Sequence, residues 1–241
     1  MSTASIDSAL KSLLKSLRSK YGPVEAPQTA EDPVEEFVWS YLMWESTTAK
    51  AENALKRIQS TVVDTNELRV SLPNEIIDML GERYPLVEER AVRLRASLDD
   101  IFRREHAMSL ESLKSLGKRE AKQYLDSIDA APLYVTSRVA LISLGGHAAP
   151  LDQRMLDLLI AEDIFPDDIT IDDASAQMMR AIKAADSTEC YLLLRAWSDD
   201  SDRAPKKTAK PERASKKKKS ARKKVSKKST TRKKTTRSRK K

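Results

Sequence analysis

Cysteine is nearly missing from this 241-residue chain: Cys190 is the only one. That excludes a disulfide framework and any thiolate metal cluster within one chain, and it suits a reducing compartment. Glycine is also scarce, with 5 in total, so Gly-rich phosphate loops are absent. Aromatic residues make up 5%. The two histidines, His106 and His147, are too far apart in sequence to suggest a metal site, and no metal or cofactor is expected. No apolar run reaches the length of a membrane span, and the first residues lack the basic-then-apolar order of a signal peptide. These absences lead to the expectation of a monomeric protein inside the cell, with no membrane partner.

What the chain has in quantity is charge, divided unevenly. Residues 205–241 hold 20 of the 44 Lys and Arg and 1 of the 36 acids, a charge of +19. The remainder keeps 24 bases against 35 acids, a charge of −11. A polycation of this density neutralises phosphates and releases their counterions, giving salt-sensitive, sequence-blind attraction to nucleic acid. Double-stranded DNA is the expected partner, at Lys216, Lys217, Lys218, Lys219, Arg222, Lys223 and Lys224. Val225 is the one sizeable apolar residue in that segment, so the segment is expected to be a disordered basic tail. The expected compartment is DNA-associated: cytoplasmic and nucleoid-associated, or nuclear.

The rest reads as helix throughout. Apolar residues recur at helical spacing over 5–20, and Gly22-Pro23 ends that helix. Asp32-Pro33 opens a helix that is apolar on most sides (Phe37, Val38, Trp39, Tyr41, Leu42), which predicts a central position. Further helices are predicted at 48–61, 72–80, 85–106, 109–115, 118–128, 132–144, 151–163, 172–185 and 187–198. The expected fold class is all-α, in three parts: an N-terminal helix and loop (1–31), a helical domain (32–200) and a disordered Lys/Arg-rich tail (201–241).

One stretch is more specific. A helix ends at Ile128, and Asp129, Ala130 and Ala131 form a short turn before Pro132 starts an apolar helix. A Gly145-Gly146 loop then leads through His147 to Leu151-Asp152, at the start of another helix. By itself Asp152 reads as an N-cap. The order of parts, however, resembles the helix-hairpin-helix DNA glycosylases of the endonuclease III-like group. In that family Leu-Pro-Gly-Val-Gly stands at the hairpin and Val-Asp before the later helix. The resemblance covers residues 32–197. It implies base excision: a nucleotide is extruded into a pocket, and a carboxylate stabilises the cationic sugar as the N-glycosidic bond breaks. That role would fall to Asp152. Tyr134 stands where bifunctional relatives carry a lysine, which implies a monofunctional enzyme with water as nucleophile.

The same alignment marks departures. Ala130 and Pro132 replace the hairpin glycines, and Pro132 has no N–H to offer a phosphate. Ser46 replaces the glutamine that fills the space left by the flipped base. The four cysteines of the family's iron–sulfur cluster are not present. The hairpin (Asp129, Ala130, Ala131, Pro132) is the expected DNA contact, with Ser46 and His147 as pocket residues. A non-catalytic DNA-binding or chromatin-associated protein on the same fold is the alternative, and a protein-interaction module using the acidic body is the third. Any protein partner is left open.

Overall fold

The computed structural model describes residues 3–24 and 32–203; the basic segment with Lys216, Lys217, Lys218, Lys219, Arg222, Lys223 and Lys224 lies outside them. Among the described residues there is helix and no strand. Eleven α-helices follow in order: α1 (Thr3–Tyr21), α2 (Pro33–Met43), α3 (Thr48–Thr61), α4 (Thr65–Val70), α5 (Pro73–Leu80), α6 (Val87–Glu105), α7 (Lys118–Asp126), α8 (Leu133–Ile142), α9 (Gln153–Ala161), α10 (Ile171–Ala181) and α11 (Ser187–Arg203). Two 3-10 turns, Glu111–Ser115 and Ala184–Asp186, complete the set.

The two helices with the least polar sequence form the centre. Nearly every residue of α2, and every residue of α8 after Leu133, is buried, and the two pack together. Each carries a charge into that core. Glu36 on α2 pairs with Arg138 on α8, and Arg138 also donates to Ser40 Oγ at 3.1 Å and to the Tyr191 hydroxyl at 2.7 Å. An ion pair this deep survives only when its remaining hydrogen-bonding groups are satisfied, which the two hydroxyls accomplish. Helices α3 and α6 pack on α2, with α4 and α5 packed on them, and α11 packs on α8, with α9 against α11 and α10 against α9. Helix α1 packs on α10 and α11, so Ile6, Leu10 and Leu17 are buried in the same core as the rest.

The caps follow from the sequence. Asp32 accepts from Val34 N at 2.9 Å and also from Leu110 N at 2.9 Å, fastening the loop after α6 to the start of α2. Helix α5 ends at Gly81, whose φ of +87° suits glycine alone. Several elements differ from the sequence-based expectation: the last helix runs on to Arg203, and 109–115 is a 3-10 turn starting at Glu111. Helix α4 was not foreseen: it has six residues, an Asp64 cap and one buried side chain, Leu68, too little periodicity to register. The helix expected to run to 185 stops at Ala181, and a separate 3-10 turn follows.

Candidate active site and hairpin

Asp152 is the N-cap of α9, and its Oδ1 accepts from Met155 N at 2.9 Å. Its Oδ2 accepts from Glu45 N at 3.2 Å and lies 3.6 Å from Arg195 Nη1. The residue is 0% exposed. Burial pushes its carboxyl above the ordinary value, against the pull of Arg195 and of the Met155 N–H. Glu45 returns the contact, accepting from Gln153 N at 2.7 Å through Oε1. Two carboxylates therefore cap one helix, 107 residues apart in the chain. Burial first, and the Asp152 charge second, also raise the Glu45 carboxyl. Glu45 adopts a left-handed φ of +50°, strain of about 1–3 kcal/mol that its two contacts must offset.

The loop that brings Glu45 here is clamped. A helix C-terminus leaves carbonyls without intrahelical partners, and these attract cations. At the end of α2, buried Arg90 donates to Tyr41 O, and to Trp44 O at 2.5 Å. The Tyr84 hydroxyl donates to Leu42 O at 2.6 Å. Arg195, 4% exposed, donates to Met43 O at 3.2 Å and to Ser46 O, which Arg154 also reaches. Arg195 lies 3.5 Å from Asp199 Oδ1 as well. Burial alone would lower the Arg195 pKa, yet it is raised overall, and at neutral pH the Asp199 and Asp152 carboxylates beside it hold the guanidinium charged. Burial similarly brings Arg90 down to about 10, still protonated at neutral pH.

Tyr134 belongs to the same buried cluster. Its hydroxyl is 2.8 Å from that of Tyr191, and it is close enough to Arg195 and Asp152 to feel both charges. Burial, and then Tyr191, push its phenol well above the ordinary value, so it stays neutral. The resemblance implies that Asp152 and Tyr134 belong to one active site. They do share a neighbourhood, but Arg195 and the Glu45 loop fill it. Ser46, expected in a pocket, is buried inside the clamped loop. His147, expected beside it, is half-buried, with Nε2 3.1 Å from Ile182 O, next to a cavity of about 10 Å³ shared with Cys190 and Tyr191. Arg195, Arg90 and Glu45 were missed by sequence reasoning; the even scatter of arginines among the helices gives no signal for them.

The hairpin keeps its shape without its glycines. Ala130 takes φ +58°, a conformation that costs a non-glycine residue about 1–2 kcal/mol. Three groups hold it: Ser97 Oγ donates to Asp129 O at 2.7 Å, the Tyr41 hydroxyl to Ala130 O at 3.1 Å, and Asp129 N to Asp100 Oδ2 at 3.0 Å. The Ala131 amide closes the turn onto Ile128 O at 3.3 Å. Two of the hairpin amides are thus spent internally and Pro132 has none, which leaves little to offer a phosphate. The exposed Asp129 side chain adds a negative charge at the tip.

A four-thiolate iron–sulfur cluster does not fit this chain. Its one cysteine is buried, and burial pushes that thiol up to about 12. Among the described residues no three His, Cys, Asp or Glu side chains converge as metal ligands, and no helix is long and apolar enough to cross a membrane.

No protein-family profile matches the chain. No curated protein sequence matches it either. Solved structures do. An endonuclease III trapped as a covalent intermediate with DNA, in an estranged-adenine complex, superposes with a TM-score of 0.62 at 10% identity, over 79% of this chain and 85% of that one. An 8-oxoguanine glycosylase/lyase of Clostridium acetobutylicum, bound to double-stranded DNA with cytosine opposite 8-oxoguanine, gives 0.63 at 15% identity, over 84% and 71%. A thermostable thymine-DNA glycosylase gives 0.56 at 12% identity, over 83% and 90%. With the hairpin between α7 and α8 and an aspartate capping the helix that follows, this chain has the fold of the helix-hairpin-helix DNA glycosylases.

Proposed function

We propose that this chain is a DNA-binding protein built on the glycosylase fold, whose aspartate caps a helix instead of excising a base. The observation that carries this reading is the state of Asp152. Both of its oxygens are engaged, it is fully buried, and a charged Arg195 lies against it. Base excision needs the reacting sugar carbon within about 3–3.5 Å of the groups that act on it. Here Glu45 and Arg195 occupy that shell, and the carbonyl contacts from Arg90, Tyr84, Arg154 and Arg195 keep the Glu45 loop in place. DNA attraction comes from the polycationic segment at residues 205–241.

A second reading has one observation in its favour. Asp152 stands at the N-terminus of α9 with Tyr134 in electrostatic reach, the arrangement that the resemblance implies for a monofunctional glycosylase. On that reading DNA binding displaces the Glu45 loop, and Asp152 stabilises the cationic sugar. The test is single-turnover base release by the full chain. The duplexes carry 8-oxoguanine, uracil or mismatched thymine, with binding measured in parallel. The expected result is salt-dependent binding with release no faster than without protein. Release that Asp152→Asn abolishes would establish the second reading.

A further inference from the structure

A groove on the body has neither Asp152 nor any hairpin residue in its lining. It is an open groove of about 810 Å³ between α3 and the turn after α5. One wall carries Lys50, Lys56 and Arg57, and the other Arg83, with Glu82 as the one acid in the lining. All five side chains are exposed. On a body of charge −11 this is a local excess of cations. A different segment is wholly acidic: residues 155–179 hold seven acids, all exposed, and no Lys or Arg. Charge on the body is therefore uneven, and a local excess of cations lets an acidic protein still present a phosphate-attracting face.

The turn is built to keep an arginine in the groove. The guanidinium of Arg57 donates to Leu80 O and crosses Gly81 so closely that a Cβ there would lie 2.9 Å from Nη1. Glycine leaves that path open, and its φ of +87° sets the bend that brings Arg83 round to the same groove. The groove is far larger than a lone phosphate needs. Its one aromatic residue, Tyr84, is buried with its hydroxyl bonded to Leu42 O, so the lining has no ring on which a base could stack.

We infer that this groove grips the phosphodiester backbone of duplex DNA, as an anchor on the body separate from the hairpin. The inference rests on the DNA-binding reading given above and names the surface through which the body joins the basic segment in that task. Contact is through charge and not through bases, so it is indifferent to sequence. It also supplies phosphate contacts that the donor-poor hairpin lacks.

The test uses the full chain. Acetylation of Lys50 and Lys56 is followed by mass spectrometry, free and with saturating duplex, alongside the salt dependence of duplex affinity for wild type and the double variant Lys56→Glu/Arg83→Glu. Both positions are exposed and outside the Asp152 cluster. The expected result is at least threefold slower acetylation of both lysines with duplex. The slope of log K against log salt should be shallower by about 2 in the variant, at about 0.9 per lost phosphate contact. Duplex binding by wild type with unprotected lysines and an unchanged slope would overturn the groove while leaving the DNA-binding reading intact. Failure of wild type to bind duplex at low salt would overturn both. Protection by poly-glutamate equal to that by duplex would assign the groove to an acidic protein and overturn DNA as its occupant.

Discussion

Replacing Arg195 with methionine separates a structural plug from an incidental buried charge. The side chain keeps much of its length and loses every polar contact. Met43 O and Ser46 O lose buried donors, and Asp152 and Asp199 lose their shared cation. Removing one partner of a buried ion pair costs about 3–5 kcal/mol, because the carboxylate left behind is desolvated without compensation. For a body of this size each kcal/mol shifts the melting temperature by about 2–4 °C, so Arg195→Met should melt about 6–20 °C below wild type. Amides of the 44–48 loop should also exchange faster with solvent. The comparison is Arg18→Met, which breaks the exposed pair with Glu189 and should cost little, since solvent screens an exposed pair. Thermal unfolding followed by circular dichroism measures both. Equal melting temperatures for Arg195→Met and Arg18→Met would refute the claim that Arg195 holds the site shut.

Four further outcomes are expected. Deleting residues 205–241 should weaken duplex binding and flatten its salt dependence, because 20 of the 44 bases go with them; titrations of both proteins at matched salt measure this. Ala130→Gly should raise the melting temperature slightly, by about 0–1 kcal/mol in stability, since relief of the left-handed strain exceeds the added freedom of the unfolded chain. Cys190 should resist an aromatic disulfide reagent in the native state and react only on unfolding, as a buried thiol raised to about 12 presents almost no thiolate. For Asp100, burial pushes the carboxyl up, but the Asp129 N–H, Arg103 and Arg104 outweigh it and hold the pKa below its ordinary value. Its stabilisation is complete above the unfolded carboxylate pKa of about 3.9 and is lost as pH falls through the lower folded value. Denaturant midpoints below pH 4 should therefore fall less steeply in Asp100→Asn than in wild type.

Much of the fold is legible in the sequence because its strongest signals are local. The all-round apolar character of α2 and α8 announces their central place, and Asp32-Pro33 and Gly81 mark helix ends. The hairpin and the later Leu151-Asp152 are legible in their order along the chain. What defines the state of the site is not local. Arg195 is 43 residues beyond Asp152 in sequence, and Glu45 107 residues before it, so their meeting depends on how α2, α9 and α11 pack. Even the cap reading of Asp152, correct for Oδ1, gives no hint that Oδ2 accepts from a distant amide. Likewise Ala130 retains a glycine's backbone angle only because Ser97, Tyr41 and Asp100, on α6 and α2, hold the turn from outside.

The paired cap on α9 has a kinetic consequence. Its first turn is complete only when Glu45 from the α2 end and Asp152 have come together across 107 residues. Such a closure carries a large loop entropy and belongs to the late, non-local stage of folding. A fragment starting after Glu45 would contain all of α9 and still leave the Gln153 amide uncovered. Exchange at that amide should therefore report release of the Glu45 loop from α9, which makes one backbone N–H a gauge of whether these two distant segments are still joined.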